Sequence, residues 1–413
     1  MNAAALAITI ALVVVQFRIK KEWAFVPLLV AAVHTSHIPN IADFTTARIL
    51  IVAGLLRAIF SGEKVVRLDD SIDKTMVAMC CLIFTSSVAH DFQFGNPYKY
   101  RTGLILNLLG SYYYGRYYIS DVKCFKNLCS AIPWVLIPLA VFMTFESVSG
   151  SNPYAFVGAR LTTSIQRLGE IRAGGPFGTP ILAGTVGAVN IGVCVILWRD
   201  NRKLAIAGLF ACFTIMVTSH SSTPLGAAFI LCAVIAVWKH RHKAAHFIWL
   251  SGFALLVLHF IKERPIWYLI ALVDLVGGST GWHRSKLIDQ AVANIGDWWL
   301  AGTDYTANWM PYKLPTNPNH CDLTNYFIHL GVIAGIPAAA CLLYILYSAT
   351  KRALPRAQED SGEYNFLMWC VIATIITHSI TFLTISYYDQ IYIFFYLLIA
   401  SVPALLRNST ETR

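Results

Sequence analysis

Apolar residues along this chain are gathered into about a dozen long runs, separated by short polar segments that often contain Lys or Arg. Each run is close to the ~20 residues that an α-helix needs to cross a ~30 Å hydrocarbon layer. The pattern predicts an all-α, polytopic integral membrane protein with about twelve or thirteen transmembrane helices. The predicted spans are residues 3–17, 23–38, 47–60, 75–90, 102–119, 128–146, 179–198, 204–218, 224–238, 245–261, 325–348, 366–385 and 390–406.

Composition excludes several other classes of protein. Of the 413 residues, 56% are hydrophobic and only 13% are charged, about half the charged share of an average globular domain. A soluble fold, a disordered chain and a coiled coil are therefore ruled out. The ten cysteines lie mostly within the apolar runs, where cysteine behaves as a small hydrophobe, so they indicate neither a disulfide framework nor a zinc site.

The net charge of +10 is distributed as membrane topology predicts. Lys and Arg cluster in alternate segments between the apolar runs, beginning with Arg18, Lys20 and Lys21, and such clusters face the cytoplasm. The N-terminus is then expected outside and the C-terminus inside, with no nucleic-acid partner. The short loops on the outer side hold only Arg48, Lys99 and Arg101.

Two longer loops are predicted on the outer side, at residues 147–178 and 262–324. They carry many of the remaining basic residues, and long translocated loops escape the charge rule. We expect residues 1–413 to form a single transmembrane domain, with both loops projecting from one face. The candidate chemistry of the chain lies in these loops.

The first loop ends in a glycine-rich stretch that leads into a predicted helix. Thr179 is a good N-cap and Pro180 a good first helical residue, so a helix should begin here with its positive end facing outward. Gly174 and Gly175 allow close backbone approach, and Arg172 stands nearby. The stretch predicts an anion pocket. The alternative interpretation is a flexible loop with an arginine that reaches the membrane surface.

The second loop predicts an amphipathic helix at the membrane interface, capped by Thr280, with its tryptophans at headgroup depth. One helical face holds Arg284, Ile288, Ala291 and Ile295, followed closely by Trp298 and Trp299. His283 and Arg284 fall in the first turn, where a positive charge is unfavourable for the helix dipole, which suggests that it serves a ligand. Alternatively, the helix only anchors the loop to lipid phosphates.

The end of the second loop contains His320, with Asp322 near enough to orient its ring. Histidine titrates near neutral pH, so it can take a proton from a hydroxyl nucleophile. A lone loop histidine is more often structural. Two arginines and a histidine expected on one face nevertheless suit a diphosphate substrate and an attacking hydroxyl, because arginine binds phosphate oxygens bidentately.

The order of these motifs resembles that of the O-antigen ligase and O-antigen polymerase superfamily of bacterial inner-membrane glycosyltransferases, over about residues 165–350. The resemblance is carried by Arg172-x-x-Gly175-x-Phe177-x-x-Pro180-x-Leu182-Ala183, Arg284, Trp299-Leu300-Ala301-Gly302, and His320 at its interval before Gly331. Three features depart from the family pattern. Cys321 replaces the usual Asn, Ile288 replaces a tryptophan, and the turn beginning at Ser221 lacks the arginine of the family's Ser-Arg-Gly.

The resemblance implies a GT-C-like, inverting glycosyltransferase that needs no metal and no cofactor. Its donor would be a glycan on polyprenyl (undecaprenyl) diphosphate, presented among membrane lipids at the periplasmic face of the inner membrane. Its acceptor would be a hydroxyl of a lipid or glycan. Arg284 and Arg172 would hold the diphosphate and His320 would act as base. Further substrate contacts are expected from His283, Lys286, Asp304, Tyr305 and Asp322.

Three other functions stay open at this point. A polymerase would use the same donor and base but pass the growing chain to another lipid-linked repeat. A transporter for a lipid-linked glycan should carry ionisable residues within its spans and paired broken helices. Here the charges concentrate in the outer loops, which favours surface chemistry. An anchoring protein would leave the arginines and His320 without a role.

Overall fold

The computed structural model describes residues 3–36, 44–62, 70–92, 95–159, 165–272, 281–314, 317–360, 364–388 and 390–407. Within these ranges the chain is mostly helical, with sixteen α-helices and two short hairpins. The helices are α1 Ala3–Arg18, α2 Val26–His34, α3 Thr46–Phe60, α4 Ser71–Thr85, α5 Pro97–Ile105, α6 Ser111–Tyr118, α7 Val122–Ser149, α8 Pro180–Ile196, α9 Arg202–Thr218, α10 Ser222–Ala236, α11 Ala244–Ile261, α12 Gly281–Ala293, α13 Ile295–Trp298, α14 Tyr326–Gln358, α15 Asn365–Phe382 and α16 Tyr392–Arg407.

Each predicted apolar run coincides with helix in the described residues, so the predominantly helical fold is confirmed. Five helical stretches there are long and apolar enough to cross a membrane: Ser71–Ala89, Val122–Ser149, Ser222–Ile261, Tyr326–Gln358 and Asn365–Phe382. This is fewer than the twelve or thirteen spans predicted, because other apolar helices are shorter. At 1.5 Å per residue, the nine residues of α2 reach less than half of a ~30 Å layer.

The helix α8 lies at the centre of the fold and packs against α9, α10 and α15. Its glycines allow these close approaches. A Cβ added at Gly184 would lie 2.3 Å from the Ser219 hydroxyl oxygen, and one at Gly192 would lie 2.2 Å from that of Thr374. Small residues at helix contacts are the usual means by which apolar helices approach one another in membranes.

The long helix α14 is interrupted at Ala334 and Gly335, where Gly335 adopts φ 79° and ψ 172°. The break frees backbone groups, which other parts of the chain satisfy. The Thr303 amide donates to the Val332 carbonyl at 2.9 Å, and the Ile336 amide donates to the Trp299 carbonyl at 2.7 Å. The segment after α13 is therefore fastened directly to the broken helix, as irregular backbone within an apolar fold requires.

The predicted amphipathic helix is two helices, α12 and α13, separated at Asn294 (φ −103°, ψ 23°). Arg284 and Ala291 are buried as one face, but the interruption turns Ile295 outward, so the predicted face does not continue. Trp298 is also not at a headgroup surface, because it is buried and its indole N–H donates to the Ala291 carbonyl at 2.9 Å. Trp299 is half exposed. The predicted cap, Thr280, lies outside the described residues.

Two antiparallel hairpins place the candidate residues of the outer loops. Strands β1 Ile165–Arg167 and β2 Glu170–Arg172 pair through the turn at Leu168 and Gly169, both in the left-handed region. Strands β3 Lys313–Leu314 and β4 Asn317–Cys321 pair next to α14, and β4 carries His320. The hairpins thereby position Arg172 and His320. No strand was predicted from sequence in either of these loops.

Candidate functional site

His320 lies in a cavity of about 920 Å³. The cavity is bounded by segments from both halves of the chain: the beginning of α3, His90 and Asp91, the helix α5, the beginning of α8, the hairpin β3–β4 and the first part of α14. Its charged and histidine lining comprises Arg48, His90, Asp91, Lys99, Arg101, Asp304, His320, Asp322 and His329. Three residues predicted for the site, Asp304, His320 and Asp322, are thus brought together.

The His320 ring is held by Thr306. The ring Nδ1 lies 3.1 Å from the Thr306 hydroxyl, which also accepts a hydrogen bond from the Cys321 amide at 3.2 Å. Thr306 is fully buried, and its own amide donates to the Asn319 carbonyl at 2.9 Å. Among the described residues no hydrogen bond joins His320 to Asp322, which was predicted to orient the ring; the charges that act on the Asp322 carboxyl are those of His283 and Arg284.

Burial lowers the pKa of His320 from its ordinary value of 6.5, because desolvation disfavours the imidazolium. The Asp304 carboxylate opposes this shift and His90 adds to it. The ring is consequently neutral over a wider pH range than a solvated histidine. A neutral imidazole whose Nδ1 is engaged can present Nε2 as a proton acceptor.

His90 and Asp304 form a second polar unit in the cavity. The His90 Nδ1 contacts the Asp304 carboxylate, and its Nε2 lies 2.9 Å from the Ala301 carbonyl, which can only accept. His90 must therefore donate at Nε2, and its Nδ1 faces the Asp304 carboxylate. The other Asp304 oxygen accepts from the Asp91 amide at 2.7 Å. The sequence offered no signal for His90 beyond its position at the end of a predicted span.

Asp322 connects the cavity to Arg284. Burial raises the pKa of the Asp322 carboxyl, while the nearby charges of His283 and Arg284 lower it. Burial lowers the pKa of Arg284 to about 10, opposed by Asp322. Arg284 is 8% exposed, and within the described chain its Nε and the His283 Nε2 are buried without a hydrogen-bond partner. A buried cationic group with an unused donor is costly unless an anion completes its surroundings.

Arg172 reaches the turn between α9 and α10. Its Nη2 donates to the Ser221 hydroxyl at 2.6 Å, and its Nε donates to the Ser219 carbonyl at 3.3 Å. Burial lowers the pKa of Arg172, and the neighbouring positive charge of Arg167 lowers it further. The charges of both arginines also lower the pKa of Arg284. Arg172 thus acts electrostatically on Arg284, and the convergence of the two arginines on one ligand stays a prediction.

The glycine-rich stretch is held by a buried carboxylate. The amides of Gly174 and Gly175 donate to the two carboxylate oxygens of the buried Glu146, at 3.0 and 2.8 Å. The helix α8 begins at Pro180 as predicted, but Thr179 makes no side-chain capping bond. Its hydroxyl instead accepts from Tyr388 at 3.2 Å, and Thr179 lines the cavity. An anion pocket at the N-terminus of α8 stays a prediction.

Arg48, Lys99 and Arg101 were not predicted as site residues, yet all three line the cavity. Their only sequence signal is that they are the basic residues of the short outer loops. Conversely, five of the predicted site residues do not line the cavity: Arg172, Arg284, His283, Lys286 and Tyr305. Lys286 is half-buried on α12, and Tyr305 is half exposed.

The described residues contain no group of three or more His, Cys, Asp or Glu side chains arranged to hold a metal ion. The described part of the cavity lining offers three imidazoles, three carboxylates, two guanidinium groups and one ammonium group. Comparison with known proteins finds no family model that matches this sequence and no matching protein among curated ones.

Proposed function

We propose that this protein is an O-antigen ligase-like glycosyltransferase of the bacterial inner membrane. It moves a glycan from a polyprenyl diphosphate carrier to an acceptor hydroxyl at the periplasmic face, with inversion and without a metal. The observation that carries the proposal is His320: its ring is held through Nδ1, in a cavity large enough for sugar units whose lining also contains Arg48, Lys99 and Arg101. The GT-C-like architecture belongs to the same proposal.

The reaction is a single displacement at the anomeric carbon. The acceptor oxygen forms a bond to this carbon while the bond to the diphosphate oxygen breaks, and the diphosphate leaves with the electron pair. The acceptor proton moves to Nε2 of His320. General base catalysis of this kind is typically worth ~10²–10⁴-fold in rate.

The leaving diphosphate gains negative charge, which Arg284 and Arg172 are suited to stabilise. Arg284 is buried and retains a donor without a partner, so a phosphate oxygen would satisfy it. Fixed cations of this kind stabilise developing charge without reorganising at the moment of reaction. They supply the electrostatic role that a divalent metal has in other transferases.

The hydrogen bond from Arg172 to Ser221 bears on one departure from the family pattern, the missing arginine in the turn that begins at Ser221. The turn that begins at Ser221 lacks the arginine expected from the resemblance, which would leave the pocket one charge short. Arg172 brings a guanidinium to this same turn from another part of the chain. We infer that it compensates for the missing arginine.

The test uses the purified full-length chain with an undecaprenyl-diphosphate glycan and candidate acceptors. His320→Ala and Arg284→Ala should insert and fold normally but lose transfer by at least ~100-fold, because base and leaving-group stabilisation are separately required. His246→Ala and Arg202→Ala, at exposed positions of the predicted cytoplasmic side, serve as matched controls. Wild-type rates in the His320 or Arg284 variant would remove that residue from the mechanism.

A further inference from the structure

The outer end of α7 carries a buried carboxylate that the proposed mechanism does not use. Glu146 is the only acidic residue among the 28 residues of α7, and its side chain is fully buried. It does not line the cavity that contains His320, so it is not in place to contact a substrate there. An ionisable group buried in a membrane-spanning helix is costly, and its usual reason is a role in function.

Glu146 holds the backbone segment that follows Arg172. Its two carboxylate oxygens accept from the consecutive amides of Gly174 and Gly175, at 3.0 and 2.8 Å. The Asn152 side chain donates to the Gly175 carbonyl at 2.7 Å. Gly175 adopts φ 56°, which a glycine tolerates without steric cost. Both polar groups of the Gly175 backbone are thus held from outside the segment.

The same segment is fastened on its other side to α9 and the turn that follows. The Ala173 amide donates to the Thr218 carbonyl at 2.9 Å, and the Arg172 guanidinium binds the turn after this residue. Three consecutive amides are therefore used by other elements, one by α9 and two by α7. Because Arg172 comes directly before them, the direction in which its side chain leaves the backbone depends on where Glu146 holds the segment.

We infer that Glu146 is a positioning residue for Arg172: its carboxylate fixes the backbone beyond Arg172 so that the guanidinium meets the diphosphate of the donor. This inference rests on the proposed function, in which Arg284 and Arg172 hold that diphosphate. A carboxylate suits the task because two adjacent N–H groups need two acceptor oxygens, and a glutamine side chain offers only one. Glu146 acts on Arg172 through the backbone of the segment, so the role is one of positioning and not of catalysis.

The test is a double-mutant cycle on the purified full-length chain, measured as the donor KM and as the Kd of inorganic pyrophosphate. Glu146→Gln should raise both by ~10-fold, because one buried amide loses its charged acceptor, and should leave the acceptor KM unchanged. If Glu146 acts through Arg172, the variant Glu146→Gln/Arg172→Gln should be no worse than Arg172→Gln alone. Glu170→Gln, an exposed glutamate on the hairpin that carries Arg172, is the matched control and should change neither constant.

Asn152→Ala loosens the same segment without a change in α7, and it serves as the second variant if Glu146→Gln does not insert. It should raise the donor KM in the same way, again with no further loss when combined with Arg172→Gln. Losses that multiply in the double variants, or an unchanged donor KM in both single variants, would overturn the inference. Coupled loss of pyrophosphate binding in a protein that transfers no glycan would refute the proposed function alone, whereas transfer that needs Arg172 but not Glu146 would refute the positioning role alone.

Discussion

Replacing Thr306 by valine should slow transfer while leaving substrate binding intact. The two side chains have nearly the same shape, so the substitution removes the hydroxyl with little change in packing. That hydroxyl contacts the His320 Nδ1 at 3.1 Å and accepts from the Cys321 amide at 3.2 Å. Thr306 is fully buried and does not line the cavity, so it acts on the substrate only through His320.

The expected magnitude follows from the loss of two hydrogen bonds. At ~0.5–1.5 kcal/mol each, the variant should lose ~1–3 kcal/mol of folding free energy. If the His320 contact carries its ~0.5–1.5 kcal/mol share of this energy in the transition state, kcat falls by about 2- to 13-fold. The acceptor and donor KM should stay within about twofold, because no cavity-lining side chain changes.

The assay compares kcat, both KM values and the pH profile for the wild type, Thr306→Val and Thr306→Ser. Serine keeps the hydroxyl and should restore most of the rate, whereas a packing defect would leave serine as slow as valine or slower. The valine variant should also shift the acid limb of the pH profile, because the partner of the ring has changed. A valine variant with wild-type kcat and an unshifted profile would refute the assignment of Thr306 as the positioning residue.

Two further predictions concern the base and the broken helix. Because burial lowers the pKa of His320, its neutral form persists as pH falls. The pH at which the rate is half-maximal on the acid limb should therefore lie below 6.5. A midpoint above 6.5 in a pH–rate profile would contradict this. Gly335→Ala should lower the free energy of unfolding in detergent by at least ~1–2 kcal/mol. Gly335 has φ 79°, and an added Cβ would lie 2.1 Å from the Leu300 carbonyl oxygen. Gly252→Ala on α11, with no atom within 4 Å, is its control and should show no loss.

The positions of the helices could be predicted closely from sequence because hydropathy is a local property. An apolar run must satisfy its own backbone in an apolar environment, and an α-helix does so without reference to the rest of the chain. The beginning of α8 at Pro180 follows from the same local chemistry. Helix length is a different matter: the basic segment between the predicted spans 224–238 and 245–261 is not a loop, because Val237–Lys243 forms a 3-10 helix that joins α10 to α11.

Features that depend on distant partners could not be predicted. The two φ/ψ changes in α14 are stable because the Trp299 carbonyl and the Thr303 amide bond to it, and neither contact leaves a trace in the local pattern. Trp298 is buried for the same reason. It packs against Gly331, where an added Cβ would lie 2.3 Å from the indole ring. The helix-period argument treated Trp298 as the end of an isolated amphipathic helix.

The candidate site was predicted where its residues are close in sequence and missed where they are not. His320 and Asp322 share a strand end, and both line the cavity with Asp304. Arg48, Lys99 and Arg101 precede His320 by more than two hundred residues, and topology indicated only their side of the membrane. The contact of Glu146 with the Gly174 and Gly175 amides likewise joins residues that are far apart in sequence, and nothing in the local pattern predicted it.

Arg101 belongs both to the cavity and to the support of the broken helix, and this determines how it can be studied. It lines the cavity, and its Nη2 donates to the Ile333 carbonyl near the break in α14 at 2.8 Å. The Ser86 hydroxyl donates to the same carbonyl at 3.2 Å, so a substitution at Arg101 would remove one of two donors there and change the cavity lining at the same time. The lost hydrogen bond corresponds to ~0.5–1.5 kcal/mol of folding free energy. A loss of transfer on substitution of Arg101 therefore reports on the cavity only if the unfolding temperature of the variant equals that of the wild type.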